Sequence, residues 1–585
     1  MLKQLKYLRK IDWLYVLFGA IFIFCNVWFE LKIPEYMIKI TSSITSPNGN
    51  INEVLSIGGY MLLFAILSMI SIVVSKYFLS VVASSLGKRV RSQVFDKVMN
   101  FSVAEVKHFS TASLITRTTN DIVQVQNLIA MGMQILMKAP MMAILAIIRI
   151  AETNISWTIA TAVSVIFILI VILIIVTVAL PKFKKIQYLT DNLNTVTREG
   201  LTGSRVIRAF NGEKYQSAKF KKANDEITDT HLFLNKYMAL MDPTMTLVMS
   251  GLPLAIYIIG AVLIFNAGAL EKFAIFANMT AFSNYAIQVI MSFVMLIMIF
   301  IMLPRAQVAA KRINEVLESK SSIVDGSGTE QPIKEGEVQF VNVGFKYPDA
   351  EDYVLHDISF KAEKGQTVAF IGSTGSGKST LINLVPRLYD ATEGQVIVDG
   401  VNVKDYKLED LNNKIGYISQ KAVLFSGTIR SNIELGEKAG NKPTDEDISK
   451  AIDISQAHFV NKLNDRIDSR IDQGGKNVSG GQKQRISIAR ALARNPEILI
   501  FDDSFSALDY KTDKLLREAL KEKSGDVTRL IVAQRIGTIK DADKIIVLDQ
   551  GRIVGEGTHD KLMKTCDVYK EIALSQLSKE ELKNA

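Results

Sequence analysis

The chain has 585 residues, of which 48% are hydrophobic and 22% charged, with a formal net charge of +9. The length is several times the roughly 150 residues of one domain, and so mixed a composition excludes one uniform globule. Its only cysteines are Cys25 and Cys566, and its 5 histidines are scattered, which excludes a disulfide framework and a cysteine-based metal site.

Met1 to Lys10 form a basic, amphipathic start with no signal-peptide cleavage pattern. Apolar spans follow at Trp13–Ile33, Ile57–Phe78, Leu128–Ile150, Trp157–Leu180, Met245–Phe265 and Ala281–Met302. Each is about 20 residues long, the length a bilayer core demands. Val163–Val178 contains no charge at all, which fits a buried helix of a soluble protein poorly. Lysine and arginine collect before the first span, between the second and third, and between the fourth and fifth, while the opposite loops are short and hold few cations. This asymmetry predicts cytoplasmic termini and cytoplasmic long connectors in a multi-pass cell-membrane protein. It also accounts for most of the basic excess without nucleic acid as a partner. The connectors read as helices continuing out of the bilayer, with surface tips near Ser102–Thr111 and Asn211–Ala218 that a soluble domain can grip. Within the spans, Lys138 beside Pro140 either faces a wet cavity or partner or snorkels to the interface. Met291, Met295, Met298 and Met302 share one helical face. Ordinary packing is the simpler reading of that face, and a cavity lining is the alternative.

Pro304 and Arg305 close the last span, and helical Val308–Leu317 leads to a polar segment. The expected division is a membrane domain over 1–317, a linker over 318–336, a soluble domain over 337–576 and a tail over 577–585. The soluble part opens with strand-like Val338–Val343 and Tyr353–Leu355, with Tyr347 between them. An apolar strand, Thr367–Ile371, then runs into Gly372, Ser373, Thr374, Gly375, Ser376, Gly377, Lys378, Ser379 and Thr380, followed by helical Leu381–Leu388. This fits G-x-x-x-x-G-K-[ST] in its required strand–loop–helix context. Glycines let backbone N–H groups turn inward as an anion nest. Lys378 would reach the terminal phosphates and the Ser379 hydroxyl would sit on Mg²⁺.

Further on, strand-like Gln395–Val398 and a turn at Asp399-Gly400 precede Ile415–Gln420, whose terminal amide is placed to hold a metal or an attacking water. Ser479, Gly480, Gly481 and Gln482 open a helix after Val478, either as a second anion site or as a plain serine cap. The run from Glu497 is a buried strand ending in Asp502 and Asp503, the way nucleotide enzymes deliver a carboxylate to Mg²⁺. Ser506-Ala507-Leu508-Asp509 follows, then an apolar strand ending at Gln534 and Arg535, and another at Lys544–Asp549.

In this order and over nearly its whole length, the chain resembles an ATP-binding cassette exporter half-transporter. The resemblance implies a membrane α-helical domain of six transmembrane helices fused to a soluble α/β P-loop ATPase domain, with ATP and Mg²⁺ as cofactors. It implies that Tyr347 stacks on adenine and that Gln420 and Asp502 join Ser379 at Mg²⁺. Ser479, Gly480, Gly481 and Gln482 would bind the γ-phosphate of ATP held by a partner subunit, and Asp509 would cross the dimer interface. Closure of the ATPase dimer would pass through the connector tips and turn a cavity from inward- to outward-facing.

The chain departs from that pattern at two places. Asp503 stands where the family usually has a glutamate general base, and Gln534 where it usually has a histidine. Aspartate is shorter by about 1 Å, and glutamine cannot take up a proton as imidazole does. The site on this chain's own phosphate loop is therefore expected to bind ATP well and cleave it slowly. Val478 replaces the commoner leucine, a mild change, and Asp472-Gln473-Gly474-Gly475-Lys476-Asn477 resembles the version in heterodimeric exporters. The expected partner is a second half-transporter carrying the glutamate and histidine. The expected function is ATP-driven efflux of amphipathic compounds, with a homodimeric lipid flippase or lipid exporter, or an ATP-gated channel, as alternatives.

Overall fold

The computed structural model describes residues 6–45, 50–151, 155–328, 335–435, 438 and 440–576. The tail expected at 577–585 and part of the expected linker lie outside them. The chain divides into two compact units, Met1–Lys97 with Ala112–Glu318, and Val98–Thr111 with Ser319–Ala585.

Among the described residues of the first unit, 6 helices are long and apolar enough to cross a membrane, and the expected spans fall within them. The helices Ile51–Met99 and Ile155–Thr202 have 49 and 48 residues. At about 1.5 Å per residue each is more than twice as long as the roughly 30 Å hydrocarbon core, so the connectors are indeed continuations of span helices. Their polarity pattern is that of lipid-solvated helices. Ile23, Leu79, Trp157, Ile256 and Phe282 are buried between helices, while Leu62, Leu173 and Ile258 lie on the outside.

The last helix runs unbroken from Ala269 to Glu318, through Pro304 and the helical stretch expected after it. Prolines in membrane helices are tolerated where neighbours re-satisfy the freed carbonyl, and Pro34, Pro140, Pro181 and Pro253 also lie inside helices. The second connector tip lies earlier than Asn211–Ala218. A short helix, Ser204–Ala209, ends where Asn211 takes φ +52° and the Gly212 N–H returns to the Ile207 carbonyl at 2.8 Å, and the next helix already starts at Glu213. Lys138 has a partner in the protein: its ammonium donates to Glu30 Oε2 at 2.9 Å, on the first span helix. Of the methionine face, Met291 and Met298 are exposed and Met295 and Met302 half-buried within this unit.

The second unit holds two main sheets. An antiparallel sheet has the order β2 (Leu355–Ala362), β1 (Val338–Phe345), β4 (Glu393–Val398), β5 (Val401–Asn402). The second strand thus follows Leu355 rather than ending there, since it pairs with β1 from Phe345↔Leu355 to Val338↔Ala362. The larger sheet has the order β12 (Arg552–Gly557), β11 (Lys544–Asp549), β3 (Thr367–Gly372), β10 (Thr528–Val532), β9 (Ile498–Asp502), β6 (Ile415–Ile418). All its neighbours are parallel except β11 and β12. Strands β9 and β10 are buried at every residue, as continuous apolar runs at the centre of a parallel sheet must be. The helix after the phosphate loop is shorter than expected, Lys378–Asn383. Pro386 disfavours helical geometry at the residue before it, and the segment ends in tight turns.

The tip segment of the first connector belongs to this unit. Val103–Phe109 is a helix capped by Ser102, whose hydroxyl accepts from the Ala104 N–H, with Glu105 closing the capping box. Val103 and Ala104 pack against the apolar core that contains Phe345 and Tyr389.

Candidate active site

Parallel strands end on one edge of a sheet, and loops leaving that edge converge there. Four neighbouring strands do this. β3 leads into the phosphate loop, β9 ends at Asp502 with Asp503 next, β10 is followed by Gln534, and β6 by Gln420. Residues far apart in the chain thereby meet in a single cluster.

The loop itself is built for glycine. A Cβ on Gly372 would lie 2.0 Å from the Leu548 carbonyl oxygen, and Gly377 takes φ +96° with a Cβ that would lie 2.7 Å from Leu355 Cδ2. The Lys378 ammonium donates to the Gly372 and Ser373 carbonyls at 2.8 and 2.7 Å. Burial lowers the Lys378 pKa, opposed by Asp503 and Asp502. The Ser379 hydroxyl donates to Asp502 Oδ1 at 2.6 Å. Burial raises the pKa of Asp502, against the hydroxyls of Ser379 and Tyr417.

A hydroxyl and a carboxylate in contact beside an anion cradle form a hard oxygen donor set of the kind Mg²⁺ takes. That ion keeps waters and phosphate oxygens and needs only one or two protein carboxylates. Among the described residues no group of three or more His, Cys, Asp and Glu side chains could hold a metal by itself.

Asp503 is held through both its backbone and its side chain. It takes φ +47°, and its N–H continues the ladder by donating to the Val532 carbonyl at 3.0 Å. Its Oδ2 accepts from the Gln534 amide at 2.7 Å and from the Gln420 amide at 3.2 Å. Burial raises its pKa; the Gln420 hydrogen bond works against this and the Asp502 charge adds to it. One carboxylate oxygen is thus claimed by two neutral amides.

Tyr347 also reaches the loop, with its hydroxyl 2.9 Å from Thr380 Oγ1. Ser479 and Asp509 lie apart from this cluster and have local roles. Ser479 caps the helix Gly480–Leu492, its hydroxyl accepting from Gln482 N–H at 3.3 Å while Gln482 Oε1 accepts the Ser479 N–H at 2.9 Å. Asp509 caps the helix Tyr510–Lys523 by accepting from the N–H and hydroxyl of Thr512 at 3.0 and 2.7 Å. Sequence reasoning missed Tyr389 and Tyr417. Tyr389 stands edge-on to Tyr347, and Tyr417 donates to Asn383 at 2.9 Å. Each is a single aromatic residue without a motif, and only the folded chain brings it to the site.

A set of membrane-spanning helices joined to a phosphate-loop ATPase defines an ATP-powered membrane transporter. Residues 355–506 match the family described as ABC transporter, and residues 16–293 match the ABC transporter transmembrane region. The chain belongs to the ABC transporter family and has the exporter arrangement, one membrane domain fused to one ATPase domain, in a multi-pass membrane protein. An uncharacterised ABC transporter ATP-binding protein of Mycobacterium tuberculosis is 38% identical over 531 residues, 90% of each chain. An ATP-dependent lipid A-core flippase of Pseudomonas fluorescens is 33% identical over 498 residues, 84% of this chain and 81% of the flippase. A bacterial Atm1-family ABC exporter with ATP bound has the same fold, with TM-score 0.77 and 23% identity over 97% of this chain and 99% of that one.

Proposed function

We propose that this chain is the slow-site subunit of a heterodimeric exporter. The observation that carries the reading is the Asp503 carboxylate, one residue past the strand-end Asp502 and held by Gln534 and Gln420 through a single oxygen. A general base must be free to accept a proton from water in line with the γ-phosphate. Here the shorter side chain is drawn toward amides that donate hydrogen bonds but neither gain nor lose a proton at neutral pH.

The cradle of Gly372, Ser373, Thr374, Gly375, Ser376, Gly377, Lys378, Ser379 and Thr380 binds the phosphates, and Tyr347 takes the base. Asp502, Ser379 and Gln420 would hold Mg²⁺, which when bound neutralises charge on the β- and γ-phosphates. Ser479, Gly480, Gly481 and Gln482 serve ATP on the partner half-transporter, across an interface that Asp509 joins. The partner supplies the glutamate and histidine that cleave ATP quickly. Both termini lie on the cytoplasmic side, and the membrane domains carry an amphipathic compound outward by alternating access. The lipid A-core flippases among the relatives favour a lipid or lipid-linked molecule as the second reading of the cargo.

In lipid nanodiscs the purified chain alone is expected to bind ATP while turning it over slowly, and to show fast turnover only when co-assembled with a second half-transporter. A stable homodimer with brisk, drug-stimulated ATPase activity would overturn the proposal. Proteoliposomes separate the cargo readings: uphill extrusion of an amphipathic dye supports efflux, and translocation of a fluorescent lipid without dye transport supports the flippase.

A further inference from the structure

Lys107 lies on the tip helix Val103–Phe109, with its ammonium 5.3 Å from the centre of the Tyr347 ring and 5.5 Å from that of Tyr389. Neither partner is placed casually. The helix is anchored where Glu105 Oε1 accepts the Ser322 N–H at 3.1 Å, and the Ser102 and Ser322 hydroxyls meet at 3.0 Å. The Tyr347 ring is held edge-on to Phe345, 5.0 Å between centroids, and edge-on to Tyr389, 5.3 Å between centroids. Its hydroxyl meets Thr380, the residue directly after the phosphate loop motif and in the first turn of the helix that follows it. A continuous set of contacts therefore runs from the connector tip through one aromatic ring to the phosphate cradle. The Lys107 pKa is raised, chiefly by the neighbouring Tyr389 hydroxyl, so the ammonium stays charged at neutral pH.

We infer that Lys107 is a positioning residue for the nucleotide base: its charge on the Tyr347 ring sets how strongly that ring holds the base, and so makes nucleotide affinity at this site depend on the seat of the tip helix. The inference rests on the reading of Tyr347 as the base-stacking residue. A cation over an aromatic ring is drawn by the ring's quadrupole. It leaves the ring poorer in electrons and a better partner for an electron-rich purine, and it fixes the ring's tilt. Coupling of this kind is reciprocal: whatever Lys107 adds to base binding, bound nucleotide adds to the hold on the tip helix.

The test is nucleotide binding to the full-length chain in nanodiscs, read by the fluorescence of mant-ATP, with tripolyphosphate as a competitor that has no base. Lys107→Met is expected to weaken mant-ATP binding about two- to five-fold, the range of an exposed cation–π contact. Tripolyphosphate affinity should not change, and Lys107→Arg should restore native mant-ATP binding because it keeps the charge. Unchanged mant-ATP affinity in Lys107→Met, equal weakening of tripolyphosphate, or failure of the arginine variant to rescue would each overturn the inference. Tyr347→Ala tells the two levels apart. If it weakens mant-ATP and Lys107→Met does not, only the role of Lys107 falls; if it has no effect, the base-stacking reading falls with it.

Discussion

Replacing Asp503 by Glu and Gln534 by His together is expected to speed ATP cleavage at this chain's own phosphate loop by about 10²-fold, the cost of misplacing a reacting group by about 1 Å. On the proposed reading, both changes are needed. Asp503 Oδ2 lies 2.7 Å from the Gln534 amide. Glutamate alone would lengthen the arm and leave a strong amide donor to draw the carboxylate aside. Histidine alone would exchange that amide for an imidazole that can take up a proton, and would leave the carboxylate short. The Gln420 amide, at 3.2 Å, stays in both cases and keeps the group oriented. The measurement is single-turnover cleavage of radiolabelled ATP by the assembled exporter, with the partner's own site silenced. A strongly non-additive pair of changes is expected, because the residues share one oxygen. A double variant that cleaves no faster than the native chain would remove the basis for calling this site slow.

The second large effect concerns stability. Lys414→Met is expected to destabilise the ATPase unit by about 3–5 kcal/mol, the usual result of removing one partner of a buried ion pair. Asp399 is fully buried, and its Oδ2 lies 2.8 Å from the Lys414 ammonium, which also meets Glu497 at 2.9 Å. Asp399 Oδ1 accepts the Glu337 N–H at 3.0 Å. Lys414 immediately precedes β6 and Glu497 immediately precedes β9, so the cluster ties the antiparallel sheet to the start of the parallel one. Burial raises the Asp399 pKa, opposed by Lys414. A carboxylate whose folded pKa is raised stabilises the fold in its protonated form, and that contribution disappears as the pH rises through the folded pKa. The loss in Lys414→Met should therefore be largest at neutral and alkaline pH and shrink toward acid. Adding Asp399→Asn should recover much of it by removing the stranded charge. Thermal unfolding of the full-length variants in detergent across pH measures all three, and a Lys414→Met protein as stable as the native one would show that the pair contributes little.

Two kinds of information were readable before the chain was folded. The spans follow from transfer energetics alone, since runs such as Val163–Val178 have no other low-energy place than a bilayer. The phosphate loop is contiguous, and its glycines, lysine and serine work at fixed short spacings, so Gly372–Thr380 carries its chemistry in one line of sequence. Asp503 and Gln534 could be named as departures because the resemblance to the exporter family sets them at positions where that family usually has glutamate and histidine.

Tertiary structure decided which groups those two residues meet. That Gln420 and Gln534 claim the same oxygen of Asp503 depends on β6, β9 and β10 lying side by side in parallel register, a property of strand order that no local pattern encodes. The same holds for Glu30 as the partner of Lys138, and for Lys107 over Tyr347. In each case the energy resides in a contact between residues distant in the chain. Local sequence sets which groups are available; the register of strands and the packing of helices set which of them meet.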